Sequence, residues 1–90
     1  MLVALIALDK PGAQDLRLEV RPDHVEYLKA SENVTMAGPF LDPDGNMIGS
    51  LIILEVDEMA EAEHWAAQDP YGKAGLFKSV TLREWKKVIG

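Results

Sequence analysis

Two short runs of the chain are apolar almost throughout instead of at alternate positions. They are LVALIAL at residues 2–8 and SLIILEV at residues 50–56. A strand with one face in water alternates apolar and polar side chains, whereas a strand covered on both faces gives a continuous apolar run. Both runs are far shorter than the roughly 18–20 residues that cross a bilayer. They therefore predict two central strands of a sheet that is covered on both faces.

The segments between these runs predict two helices. Residues 13–31 carry three apolar side chains and one histidine at four-residue steps, which is typical of a helix with one inward stripe. Pro22 within this segment should kink the helix or divide it in two. Asp57 is a favoured N-cap residue for a second helix, which should run to about Gln68 and stop at Pro70.

The remaining strands complete a known order. Met1–Leu8 is the first predicted strand, residues 34–41 and 47–56 are joined by the turn-rich DPDGN, and residues 76–88 form the fourth. The order βαββαβ is that of the ferredoxin-like split βαβ, an α+β fold with an antiparallel four-stranded sheet whose first and third strands are central. Two helices cover one sheet face only. We therefore expect a homodimer in which a second copy covers the other sheet face.

Composition excludes several classes of function. Ninety residues suit a single domain over residues 1–90. A net charge of -6, with no Lys/Arg cluster, argues against nucleic acid and anionic membrane as partners. The chain has no cysteine, which excludes a thiolate nucleophile, a disulfide and a zinc–cysteine site. No segment reads as a signal peptide, so we expect a cytoplasmic protein.

His24 interrupts the otherwise apolar stripe of the first helix, and its ring nitrogens need partners in the interior. A backbone carbonyl would make it purely structural. The other candidate partner is Asp69, on the inward face of the second helix, at the end where the helix dipole disfavours a carboxylate. Such a pair would fix the tautomer of the imidazole and leave its second nitrogen as a general acid or base. Structural His–Asp pairs are also common.

The segment MAGPFLDPDGNMIGS, residues 36–50, contains more than a hairpin needs. Gly38-Pro39 ends one strand and Gly49-Ser50 begins the next. These pairs predict a concave lip with the Ser50 hydroxyl as a hydrogen-bond donor. A β-bulge or tight packing under a helix explains the same residues equally well.

Other polar residues near His24 are open to two interpretations. Arg17 and Arg21 could bind an anionic substrate or only hold charge pairs. Tyr71 could line a pocket or simply pack. His64 falls on the outer face of the second helix, and the spacing of the two histidines gives little support for a metal site. No phosphate loop or nucleophile elbow is present, so we predict neither metal nor cofactor.

Five segments in order along the chain resemble the YciI-like, or YCII-related, family: RPDHVEYL, MAGPF, GS before an apolar strand, AEHWAAQDPYGKAGLF and VTLREWKKV. The resemblance implies a dimeric α+β barrel, in which ferredoxin-like subunits pair through their sheets. It also implies an active-site His–Asp pair in a small pocket. By motif these residues are His24 and Asp69, with Ser50 as a pocket residue.

Activities associated with this resemblance are dehydrochlorination of a chlorinated hydroxyquinol and, more distantly, muconolactone isomerisation. They imply elimination, isomerisation or hydrolysis of a small oxygenated or aromatic substrate, with Gly38, Pro39, Ser50, Arg17 and Tyr71 binding it. Two other hypotheses remain open. In the first, the chain is a small-molecule binding module without catalysis. In the second, it is a structural dimeric domain whose histidine is buried and satisfied.

Overall fold

The computed structural model describes residues 1–90. Its elements are β1 (Leu2–Asp9), α1 (Gln14–Ala30), β2 (Val34–Leu41), β3 (Met47–Glu55), α2 (Met59–Gln68), α3 (Pro70–Lys73) and β4 (Phe77–Trp85). The predicted βαββαβ order is confirmed, with α3 as one short additional helix. None of the helices is both long enough and apolar enough to cross a membrane.

The four strands form one antiparallel sheet in the order β2-β3-β1-β4. β1 and β3 are therefore the central strands, as their unbroken apolar sequences predicted. The main core lies between one face of this sheet and the helices. It is formed by Val3, Leu5, Ala7, Ile52, Leu54, Val56, Ala62 and Trp65.

The opposite side of the sheet carries a group of apolar side chains, several of them exposed in a single chain. Leu2 pairs with Trp85, and Ile6 pairs with Leu51; directly paired residues of antiparallel strands share a face. We use the name open sheet face for Leu2, Ile6, Leu8, Met36, Leu51, Ile53 and Trp85. Four of these side chains, Leu8, Met36, Leu51 and Trp85, are between 36% and 53% exposed.

Pro22 was expected to kink α1 or divide it in two; the helix runs unbroken through Pro22, so the division is wrong. A proline inside a helix removes one backbone hydrogen bond and frees the carbonyl four residues before it. Here that carbonyl belongs to Leu18, and both Leu18 and Pro22 are exposed. Water can satisfy the freed carbonyl, which explains why the helix continues.

The start of α2 differs from the prediction that Asp57 caps it. The helix begins at Met59, its N-cap residue is Glu58, and no side chain caps it. The backbone N–H of Asp57 instead donates to the Glu61 carboxylate, at 3.3 Å. Because the helix begins one residue later than the capping pattern suggests, the Asp57 side chain lies outside it.

Candidate functional site

A cavity of about 130 Å³ lies between α1 and the β2–β3 hairpin. The sequence-predicted residues that line it are Arg17, His24, Gly38, Pro39, Ser50 and Tyr71, together with Arg21. Asp69 does not line the cavity. Its carboxylate instead contacts the imidazole of His24.

His24, on α1, meets Asp69, which lies between α2 and α3, and both side chains are buried. The Nδ1 atom of His24 lies 2.7 Å from Oδ1 of Asp69. A carboxylate at this distance favours a proton on Nδ1, which leaves Nε2 with a free lone pair. Nε2 has no hydrogen-bond partner in the protein and is not sealed from solvent. Since His24 lines the cavity, Nε2 is available to a molecule bound there.

Asp69 has a second role that the sequence did not reveal. It is the N-cap of α3, where Oδ1 also accepts a hydrogen bond from the backbone N–H of Tyr71, at 3.0 Å. Pro70 therefore starts a helix as well as ending one, at the first helical position that proline prefers. The carboxylate is thus compensated by α3 as well as by His24. Its other oxygen, Oδ2, is buried without a hydrogen-bond partner.

Arg17 is 2% exposed and forms the second buried ion pair of the site. Its Nε atom donates to Oδ2 of Asp9 at 2.6 Å, and its Nη2 atom donates to Oδ1 of the same carboxylate at 3.0 Å. Nη2 also donates to Oγ of Ser50, at 3.0 Å. Almost all of the hydrogen-bonding capacity of Arg17 is therefore used within the protein.

Asp9 is the functional-site residue that the sequence interpretation missed, because the first strand was predicted to end at Leu8, whereas β1 includes Asp9. Two signals could have found it. Alternation along β1 places Asp9 on the same face as Ala7, and a buried arginine needs a carboxylate partner. Together they indicate that Arg17 would pair with an acid at the end of β1.

Tyr71 connects the two ion pairs. Its ring stacks on the imidazole of His24, with centroids 3.9 Å apart, and the Arg17 guanidinium lies 4.6 Å from the centre of the same ring. Burial raises the pKa of Tyr71; the charges of Arg17 and Arg21 lower it, and those of Asp9 and Asp69 raise it further. The phenol thus stays protonated at neutral pH and can donate a hydrogen bond.

Gly38-Pro39 and Gly49-Ser50 lie within β2 and β3 and do not mark strand ends as predicted, and the two glycines have different roles. A side chain at Gly49 would come within 2.5 Å of the Ala7 carbonyl oxygen, so this glycine is required for tight packing within the sheet. A side chain at Gly38 would meet nothing within 4 Å, so no close approach requires a glycine there. Ser50 is buried and lines the cavity. Because its oxygen accepts from Arg17, its own proton is free to be donated to a ligand.

His64 is exposed, as its position on the helix predicted. The structure contains no group of three or more His, Cys, Asp or Glu side chains that could hold a metal ion. The cavity residues offer a potential acid–base group at Nε2 of His24, with hydrogen-bond donors at Ser50 and Tyr71.

The whole chain is similar to proteins and structures that are already known. Protein YciI of Escherichia coli is 34% identical over an alignment of 98 residues, which covers 99% of this chain and 100% of the relative. A solved structure of 5-chloro-2-hydroxyhydroquinone dehydrochlorinase from Burkholderia phenoliruptrix, in complex with 2,5-dihydroxybenzoquinone, has a TM-score of 0.88 at 30% identity. That match covers 96% of this chain and 94% of the dehydrochlorinase.

More distant structures share the fold alone. Rv0793 from Mycobacterium tuberculosis is 12% identical and has a TM-score of 0.67, with both chains fully covered. The resemblance drawn from the ordered motifs is confirmed by a model of the YCII-related domain, which matches residues 1–86. This chain therefore belongs to the family of YCII-related domains.

Proposed function

We propose that this chain is an enzyme that needs no cofactor and uses His24 as a general acid or base on a small, oxygenated, aromatic or quinonoid molecule. The observation that carries this proposal is the arrangement of the imidazole. One ring nitrogen is held by Asp69 at 2.7 Å, and the other is free at the wall of a cavity. A histidine that served packing alone would have no need of a free nitrogen beside a cavity.

The reaction class that best fits these groups is elimination or isomerisation. Nε2 of His24 takes a proton from the substrate, and Asp69 stabilises the resulting imidazolium. The hydroxyls of Ser50 and Tyr71 donate to the substrate oxygen on which negative charge develops. In an elimination the anionic leaving group departs as the proton is removed, so loss of HCl is redox-neutral and needs no oxidant.

The size of the cavity limits the substrate. A cavity of roughly 150 Å³ holds benzene in a well-studied protein, and the cavity here measures about 130 Å³ and opens to solvent. A single substituted ring is therefore the largest substrate that we propose. The similarity to a dehydrochlorinase bound to 2,5-dihydroxybenzoquinone supports a substrate of this class.

A single positioned general base contributes about 10²–10⁴ in rate. That contribution suffices when the substrate proton is already acidic, as on a polyhydroxylated ring. We therefore propose dehydrochlorination of 5-chloro-2-hydroxyhydroquinone as the first reaction to assay. Chloride release and the absorbance of the quinone product measure turnover.

The matched variants for this assay are His24→Gln and His64→Gln, because the chain has two histidines and only His24 lines the cavity. We expect His24→Gln to lower kcat by about 10²–10⁴ and His64→Gln to leave it unchanged. Equal activity of His24→Gln and the wild type would contradict the proposal.

A binding module without turnover is the second candidate. The observation that favours a binding module is that the Asp69 carboxylate accepts a hydrogen bond from the Tyr71 N–H, which gives it a structural role apart from catalysis. Wild-type protein that binds 2,5-dihydroxybenzoquinone, and yet turns over no chlorinated hydroxyquinol, would support this second function over the first.

We also propose that the chain acts as a homodimer through the open sheet face. Contiguous exposed apolar area of this kind marks an interaction surface, and the unbroken apolar sequences of β1 and β3 require cover on both sides. Ile6→Glu, at the centre of this face, should give a monomer in sedimentation equilibrium. Lys78→Glu, which lies outside the open sheet face, is the control and should leave the dimer intact.

A further inference from the structure

The charged side chains that line the cavity all have the same sign. Its charged or titratable lining residues are Arg17, Arg21, His24 and Tyr71, and no carboxylate is among them. The chain as a whole has fifteen acidic and nine basic residues. Cations are thus concentrated at the one concave site that holds the candidate acid–base group.

Three of these groups already have partners inside the protein. Arg17 is paired with Asp9, His24 is bonded to Asp69, and Tyr71 accepts a long hydrogen bond, 3.4 Å, from Arg17. Asp9 and Asp69 do not line the cavity. Arg17 therefore serves as a positioning residue for Ser50 and Tyr71, and its charge is balanced before any ligand arrives.

Arg21 differs from Arg17 in each of these respects. It is exposed, no carboxylate lies within 4.0 Å of it, and its side chain makes no hydrogen bond in the protein. It follows Arg17 by four residues and precedes His24 by three, which places all three side chains on one face of α1. Arg21 and Tyr71 line the same cavity, and the charge of Arg21 lowers the pKa of that phenol.

Building on the function proposed above, we propose that Arg21 is the anion-recognition residue of the cavity and that the natural ligands are small monoanions, carboxylates or ionised enols on a single ring. A guanidinium presents a planar pair of N–H donors that matches two oxygens of such an anion. Because Arg21 is already exposed, it meets the anion without the desolvation cost that a buried arginine would carry.

Benzoate and benzamide test this specificity, since they have the same ring and nearly the same size but differ in charge. Binding is measured by the movement of backbone amide NMR signals of the cavity residues during titration. We expect wild-type protein to bind benzoate about tenfold more tightly than benzamide. Arg21→Gln should remove this preference, and Arg21→Lys should restore part of it.

Lys29→Gln is the matched control. It removes one positive charge from the exposed side of the same helix, and Lys29 does not line the cavity. If Lys29→Gln weakens benzoate binding as much as Arg21→Gln does, a general charge effect explains the preference and the proposal for Arg21 is wrong. Equal affinity of the wild type for the two probes, or no binding of either, also overturns it.

Failure of this proposal is distinct from failure of the proposed catalytic function. The anion preference is measured by binding alone, with no turnover. The role of His24 as an acid or base is decided by the comparison of His24→Gln with His64→Gln. A site that turns over neutral molecules would retain the His24 effect and show no preference for benzoate.

Discussion

Two buried pairs contact Tyr71: Arg17 with Asp9, and His24 with Asp69. They differ in how many of their hydrogen-bond donors and acceptors have partners in the protein. The pair of Arg17 and Asp9 is nearly saturated, since both carboxylate oxygens accept from the guanidinium. The pair of His24 and Asp69 leaves one ring nitrogen and one carboxylate oxygen without partners. The saturated pair is suited to holding the walls of the cavity in place, and the unsaturated pair has capacity left for a ligand.

The largest effect on stability should come from breaking the saturated pair. In Asp9→Asn the buried guanidinium of Arg17 loses its countercharge, and we expect the free energy of unfolding to fall by about 3–5 kcal/mol. Urea denaturation at a fixed protein concentration measures it. Asp44→Asn, an exposed position in the hairpin turn, is the control and should change stability by less than about 0.5 kcal/mol.

A double variant separates charge from packing in the same pair. Replacing both partners of a buried ion pair by apolar residues is often neutral or stabilising. We therefore expect Asp9→Leu combined with Arg17→Met to recover most of the stability that Asp9→Asn loses. Equal loss in the single and double variants would show that the hydrogen bonds to Ser50 and Tyr71 matter more than the charge pair.

His24→Gln should cost less stability than Asp9→Asn, although it also breaks a buried pair. Asp69 keeps its hydrogen bond from the Tyr71 N–H, and Gln can still donate. We expect a loss of about 1–2 kcal/mol in urea denaturation. A loss as large as that of Asp9→Asn would remove the distinction between the two pairs and favour a structural histidine.

The smallest expected effect is on the ionisation of Tyr71, which lies between the two pairs. The chain has two tyrosines, and burial, foremost, raises the pKa of both above the ordinary value of 10.0. The midpoint of tyrosinate formation, followed by absorbance, should therefore lie above the ordinary tyrosine pKa of 10.0 in the folded protein. Because folding raises these pKa values, the associated stability is complete below the unfolded pKa and is lost as the pH rises through the folded pKa.

A Tyr27→Phe background isolates Tyr71 and links this titration to the charges around it. Arg21 lowers the pKa of Tyr71, so adding Arg21→Gln should move tyrosinate formation to higher pH. Lys29→Gln in the same background is the control. An unchanged titration would mean that Arg21 lies too far from the ring to act on it.

The sequence was sufficient for the parts of the structure that depend on pattern. The unbroken apolar sequences predicted that β1 and β3 are the central strands, and the structure confirms it. The four-residue apolar stripe of α1 predicted that His24 faces the interior, where it is buried. The structure also brings His24 and Asp69 into the expected contact, although Asp69 lies just beyond the end of α2 and not on its inward face as helical periodicity predicted. The catalytic role of this contact stays a prediction.

The parts that the sequence did not reveal depend on choices between equivalent residues. Arg17 and Arg21 share a helical face, and only the packing of α1 on the end of β1 decides that Arg17 meets Asp9 while Arg21 stays exposed. α3 was missed because four residues are too few to give a periodic pattern, and Pro70 was interpreted only as a stop.

The double use of Asp69 has a consequence for anyone who redesigns this scaffold. One oxygen both orients an imidazole and begins the turn of chain that carries Tyr71 into the site. Substitution of Asp69 would therefore disturb both the orientation of the His24 imidazole and the position of Tyr71. New substrates are therefore better sought by varying Arg21 and Ser50 at the wall, with the aspartate left untouched.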